Sequence, residues 1–265
     1  MKHPANSVDF SQLDNVLIVL VGTTHPGNIG AVARAMKTMG LGRLALVNPK
    51  RFPCAEASAR AAGADDVLYE AGVFDSPDAA LADCRWVVGT TARTRSLPCP
   101  EFSPRECAKR LIATAQTGQV ALVFGREHSG LTNEELDRCH AVVRIPANPA
   151  YQSLNLASAV QVLSYELRMA CLDTALSGGE EGPNARRNTV VAMPGGINAS
   201  EWEGLFRHLE VALQDVGYYD PAKPKKLMRR LRRFFQRAGL DHSELNILRG
   251  ILSAAQQAAK RDSDR

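Results

Sequence analysis

The chain has 265 residues, 45% hydrophobic and 23% charged, which is enough to bury one full core with a smaller appendage and too apolar for global disorder. Its net charge of +4 is unevenly spread: residues 200–265 hold 13 Lys and Arg against 9 Asp and Glu, whereas residues 1–199 balance at 19 and 19. The positive excess therefore lies in the C-terminal part, which points to a polyanionic partner or to a solvated helix surface.

Cys54, Cys84, Cys99, Cys107, Cys139 and Cys171 include no C-x₂-C pair, so reduced thiols are expected and no metal site is. The longest apolar run near the start, Val16–Val21, is too short for a membrane span or a secretory leader. A cytoplasmic protein without membrane contact is the expectation.

In chain order, residues 16–21 are predicted as a strand buried on both faces, in the manner of a parallel sheet. After the loop GTTHPGN, Ile29, Val32, Met36 and Met39 recur at helical spacing until Gly40. Residues 44–47 read as a second strand closed by Asn48-Pro49, residues 55–62 and 76–83 as short helices, and 86–89 as a further strand. A Pro-rich loop leads to a helix over 104–115, followed by a strand over 120–124. Thr132 and Glu135 have the spacing of a capping box. Residues 141–145 read as the last strand. The helix over 154–175 carries the stripe Leu156, Val160, Leu163, Leu167 and Ala170.

This alternation predicts an α/β domain over residues 1–176, built on a parallel sheet covered on both faces. Residues 177–199 are rich in Gly and polar side chains and read as a linker. Ser200 with Glu203 is then expected to cap a helix bearing Trp202, Phe206, Leu209, Leu213 and Val216. Helices over 223–238 and 242–259 complete a small all-α extension over 200–265, which is short enough that packing on the main domain or a partner chain is expected.

Three stretches carry the candidate chemistry. In GNIGAVAR, residues 27–34, the glycines can let the backbone approach a ligand, and the helix N-terminus favours an anion. No G-x-G-x-x-G is present and no acid ends the second strand, which argues against a nicotinamide enzyme; no P-loop exists either. Arg34 stands among Ala, Val and Met. It can hold a phosphate or stabilise an oxyanion, or it can simply snorkel from a half-buried helix. FGREHSGL, residues 124–131, is a loop at the carboxyl end of a strand, where open α/β sheets bind ligands. His128 there, and His25 in the first loop, are possible bases or merely exposed polar residues. In residues 145–156, Ser153 or Asn155 can cap the long helix.

Taken together and in this order, GNIGAVARA, FGREHSGL and IP…SLNLASA resemble the signature motifs of the SPOUT-class RNA methyltransferases, in the branch that methylates ribose 2′-hydroxyls. VGTTARTR and ELNILRGIL make the chain similar to the TrmJ type, tRNA (cytidine/uridine-2′-O)-methyltransferases acting at nucleotide 32 of the anticodon loop. The resemblance implies S-adenosylmethionine as cofactor and tRNA as partner. It also implies a homodimer whose subunits jointly shape the site, and a C-terminal trefoil knot in the catalytic domain, which pattern alone would never propose. Carried over by position, it implies a cofactor pocket of Thr90, Thr91, Ala92, Gly125, Arg126, Glu127, Ile145, Gln152, Ser153 and Leu154, with Asn28, Arg34 and Asn155 as catalytic residues.

For RNA, the run Lys223, Lys225, Lys226, Arg229, Arg230, Arg232, Arg233 and Arg237 has no intervening acid. Leu227, Leu231 and Phe234 are expected to mark its apolar stripe, with most cations on the other face. Arg93 and Arg95 are secondary candidates. Two rival readings stand beside this one: a ribosomal RNA 2′-O-methyltransferase of the same class, and an RNA-binding protein of this fold without catalysis.

Overall fold

The computed structural model describes residues 8–92, 99–177, 196–224 and 226–263. By internal packing the chain divides into two compact units, Met1–Ala192 and Met193–Arg265.

The first unit begins with a 3-10 turn, Ser11–Asn15, and β1 (Val16–Val21), all of whose residues are buried. There follow α1 (Pro26–Met39), β2 (Leu44–Val47), α2 (Ala55–Ala61), α3 (Asp65–Tyr69), β3 (Gly72–Phe74) and α4 (Pro77–Leu81). Then come β4 (Trp86–Thr90), β5 (Glu101–Phe102), α5 (Pro104–Ala115), β6 (Val120–Phe124), α6 (Asn133–Asp137), β7 (Ala141–Val143) and α7 (Leu156–Ser177). The strands form one parallel seven-stranded sheet in the order β3-β2-β1-β6-β4-β7-β5. β1 and β6 are buried at every position, odd and even alike, so both faces of the sheet centre are covered. The α/β expectation holds.

Local chemistry starts and stops the helices. Pro26, Pro77 and Pro104 open α1, α4 and α5, where the missing N–H costs nothing. Thr132 and Glu135 close the expected capping box on α6, and Ser103 with Glu106 forms another on α5. Gly40 ends α1 in the left-handed region at φ 86°. The predicted stripe of α7, from Leu156 to Ala170, is buried throughout.

Besides the opening 3-10 turn, three elements have no counterpart in the sequence reading: α3, β3 and β5. Both strands sit at the sheet edges, are two or three residues long, and are partly exposed, so neither presents an apolar run. The last strand ends at Val143, which leaves Ile145 in the loop rather than in the sheet.

The second unit holds α8 (Ala199–Asp215), α9 (Leu227–Ala238) and α10 (His242–Ser263). It has a core of its own: Ile197, Trp202, Leu205, Phe206, Leu209 and Leu245, with Met228, Leu231 and Phe235 packed on it. Trp202 and Phe206 stack at 5.5 Å. Two expectations are corrected here. The capping box of α8 is Asn198 with Glu201, two positions before Ser200 and Glu203. The inward stripe of α9 is Met228, Leu231 and Phe235, and Phe234 points out, 56% exposed. Of the linker expected over 177–199, residues 178–195 lie outside the described residues, whereas Ser177 ends α7 and Ile197, Asn198 and Ala199 belong to the second unit.

Candidate functional site

Parallel strands leave their carboxyl ends on one edge of the sheet, and the loops there are free of ladder obligations. β6, β4 and β7 are neighbours in that order, so the loops after them converge. Between them lies a cleft of about 260 Å³, lined by Thr90 at the end of β4 with Thr91 and Ala92 after it, Gly125 to Gly130 after β6, and Ile145, Gln152, Ser153 and Leu154 after β7. All ten residues expected at a cofactor pocket therefore face one cavity. Phe124, Val143, Leu156 and Ala159 add apolar wall. Sheet order made this convergence, because residues 90, 125 and 145 belong to different elements.

The β6 loop is folded tightly back. Arg126 and Gly130 exchange backbone hydrogen bonds at 3.3 and 2.9 Å. A Cβ on Gly125 would stand 2.1 Å from the Gly130 carbonyl carbon, so only glycine lets the loop close. The Arg126 guanidinium lies across Gly22, whose φ is +63°, and pairs with Glu135 at 3.0 Å. Its charge is answered within the chain.

Glu127 turns the other way. Its carboxylate accepts from the backbone N–H groups of Thr24 at 3.2 Å and His25 at 3.1 Å, from the Thr24 hydroxyl at 2.9 Å, and from the Asn28 amide at 3.0 Å. α1 has no side-chain cap of its own at His25. Glu127 supplies that cap from across the sheet, where an anion is stabilised by free N–H groups and the helix dipole. Burial by itself would raise the carboxyl's pKa, but the Asn28 amide and the His25 and Thr24 N–H groups outweigh it and hold it at about 2. This corrects the expectation that the α1 N-terminus awaits a ligand anion: the protein's own carboxylate is already there.

Asn28 is bound on its other side as well. Its Oδ1 accepts from the Asn155 amide at 3.3 Å, while Asn155 Oδ1 accepts the N–H of Ala157 at 2.9 Å. That second bond caps α7 and leaves only Nδ2 of Asn155 to face Asn28, so both amide orientations follow from their partners. The three loop motifs thus meet in a directed chain, Asn155 to Asn28 to Glu127.

The remaining candidates are more scattered. Arg34 is exposed further along α1; its guanidinium has no partner among the described residues and does not line the cleft. Gly30 does not face a ligand, as expected of it: a Cβ there would meet the Ala57 carbonyl oxygen at 2.0 Å, so it is the contact point of α1 with α2. His128 borders the cleft and is exposed; His25 contributes its backbone N–H to Glu127. Arg93, Arg95 and Lys225 lie outside the described residues. Lys223, Lys226, Arg230 and Arg237 are exposed, and Arg229 and Arg233 are half-buried. Arg232 is engaged inside its unit, bidentate on Glu203 and 4.5 Å over the Phe206 ring.

The sequence reading missed Thr24 as a Glu127 partner and Glu135 as the partner of Arg126. Only the capping-box spacing had singled out Glu135. None of the six cysteines is in a disulfide. Among the described residues no helix is long and apolar enough to cross a membrane, and no cluster of His, Cys, Asp and Glu has the arrangement of a metal site.

The model of the SpoU rRNA Methylase family matches residues 15–165, and that of the C-terminal domain of the tRNA methyltransferase TrmJ matches residues 200–264. The chain belongs to the SpoU methylase family, in its TrmJ branch. The tRNA (cytidine/uridine/adenosine-2′-O-)-methyltransferase TrmJ of Pseudomonas aeruginosa is 50% identical over 249 residues, 94% of this chain and 96% of that protein. The tRNA (cytidine/uridine-2′-O-)-methyltransferase TrmJ of Pectobacterium atrosepticum is 51% identical, over 92% of this chain and 98% of its own. The crystal structure of TrmJ from Z. mobilis superposes with a TM-score of 0.74 at 33% identity, covering 90% of this chain and 97% of that one. In this TrmJ-branch chain, the cleft and the Asn155–Asn28–Glu127 junction fall inside the SpoU match, and the basic helix α9 falls inside the C-terminal one.

Proposed function

We propose that the chain uses S-adenosylmethionine to methylate the ribose 2′-hydroxyl of a cytidine or uridine in tRNA, at nucleotide 32 of the anticodon loop. The observation that carries this reading is the junction of Asn155, Asn28 and Glu127 beside a cleft of nucleoside size. Relatives named as tRNA 2′-O-methyltransferases, matched along nearly their whole length, support the substrate.

The donor set fits the cofactor. Arg126 is paired with Glu135, so among the described residues the cleft offers no free guanidinium to a polyphosphate. What it offers is hydroxyls and amides from Thr90, Thr91, Gln152 and Ser153 and an apolar wall, bordered by the negative charge of Glu127, whose oxygens are held by the head of α1. A cation that also carries a nucleoside suits that lining. When bound, S-adenosylmethionine supplies an electrophilic methyl group.

The chain's own residues do the rest. Thr90, Thr91, Ala92, Gly125, Ile145, Gln152, Ser153 and Leu154 hold the cofactor in this reading. Asn28 and Asn155, fixed by their partners, orient the ribose hydroxyl. Arg34 stabilises the alkoxide as its proton leaves to a phosphate oxygen or water. A guanidinium with a pKa above about 12 serves poorly as the base itself. Arg34 stands off the cleft of its own chain, which favours a homodimer in which it serves the partner's site. The trefoil knot of the SPOUT class and a cytoplasmic location belong to the same reading. Lys223, Lys225, Lys226, Arg229, Arg230, Arg233 and Arg237, with Arg93 and Arg95, engage RNA phosphates.

Incubation with isotopically labelled cofactor and total cellular RNA, followed by mass-spectrometric mapping, tests the proposal. Label on the ribose of nucleotide 32 of tRNA is expected. Label in ribosomal RNA alone would support the ribosomal alternative, and RNA binding without any label would support a non-catalytic protein.

A further inference from the structure

On α9, Met228, Leu231 and Phe235 face the core of the helical unit, which closes that core without Phe234. Phe234 is left 56% exposed. Its ring is nonetheless set: it meets the Phe235 ring edge to face, centroids 5.2 Å apart at 74°. Helical spacing places Arg230 one turn before it and Arg237 one turn after it on the same outward strip, and both are exposed. An exposed aromatic anchored by a half-buried neighbour and flanked by two cations is poorly explained as a solvated surface, where a polar side chain would do as well.

From this we infer that Phe234 is a stacking platform for one unpaired base of bound RNA, with Arg230 and Arg237 on the phosphates at either side. Aromatic faces take unpaired bases and cannot reach bases stacked inside a duplex. The two arginines start about 10 Å apart along the helix axis, which leaves room for a splayed nucleotide between their side chains. The inference rests on the proposed RNA substrate, and it adds a preference for single-stranded segments that a basic surface alone does not have.

The test measures binding of the full-length protein to an RNA stem-loop with a large unpaired loop, and to a fully paired duplex of the same stem, over a range of salt. Phe234→Leu keeps an apolar contact with Phe235 and removes the aromatic face; Phe234→Trp keeps the face. Phe234→Leu is expected to weaken stem-loop binding by about ten-fold or more, to leave duplex binding unchanged, and to keep the salt slope. Phe234→Trp is expected to bind as the wild type does. Arg230→Gln and Arg237→Gln should each flatten the salt slope on the stem-loop by about 0.7.

Stem-loop binding by Phe234→Leu equal to wild type would overturn the inference. So would an equal loss on both RNAs, failure of Phe234→Trp to retain binding, or a changed oligomeric mass in Phe234→Leu. A wild-type protein that binds neither RNA would instead overturn the proposed substrate itself.

Discussion

Asn28 donates its amide to Glu127 at 3.0 Å, across 99 positions of sequence. Because an ionised carboxylate only accepts, that bond turns the Asn28 oxygen toward the Asn155 amide. Glu127 is therefore a positioning residue as well as a wall of the cleft. Removing its charge frees the first turn of α1 and lets Asn28 rotate.

Glu127→Gln is expected to lower kcat by about 10–100-fold, the usual cost of losing a residue that orients a catalytic side chain. The dissociation constant for S-adenosylmethionine should move much less. Single-turnover kinetics beside calorimetry separates the two. A loss confined to cofactor affinity would mean that Glu127 acts on the cofactor and not through Asn28.

The same carboxylate gives stability a dependence on pH. Its pKa is lowered to about 2 in the folded chain from an ordinary 4.5. The stabilisation is thus fully present above pH 4.5 and fades as pH falls through about 2. Urea melts of wild type and Glu127→Gln should differ near neutrality and converge as pH drops below 4.5. A gap that stays constant to low pH would rule out this assignment.

Gly30→Ala tests the reassignment of that glycine from ligand contact to helix packing. The new methyl would meet a backbone oxygen at 2.0 Å, and backbone yields poorly. A loss of about 1–3 kcal/mol is expected from overpacking of this kind. Denaturant midpoints, with m unchanged, would register it. Wild-type stability combined with weaker cofactor binding would restore the ligand reading.

Arg34→Ala is expected to lower kcat by about 10²–10³-fold, as for loss of an oxyanion donor, with cofactor affinity retained. If Arg34 serves the partner's cleft, mixing Arg34→Ala with Asn28→Ala subunits should regain part of the activity. No recovery after verified subunit exchange would place both residues in one chain's site.

Much of this fold could be read from local pattern. The apolar runs of β1, β2 and β6, the Thr132–Glu135 capping box and the buried stripe of α7 each lie within a few residues of sequence, and strand and helix periods report them directly. The edge strands β3 and β5 escaped, because a short, half-exposed strand is made by its neighbour's free hydrogen bonds and not by its own composition. The α8 cap moved by two positions for a similar reason. Both Asn198 with Glu201 and Ser200 with Glu203 have the right spacing, and Glu203 is taken by Arg232.

The residue types at the site came from the chain alone, as did the candidate list that resemblance supplied. What each one does was decided by sheet order. Placing β6 between β1 and β4 brought Glu127 to the head of α1, where it binds Asn28, while α2 crossed close enough to Gly30 to exclude any side chain. Packing likewise chose between adjacent phenylalanines, turning Phe235 inward and Phe234 outward. Periodicity reports what a segment can bury. Which partner it meets depends on contacts between segments far apart in the chain, and only the folded arrangement contains those.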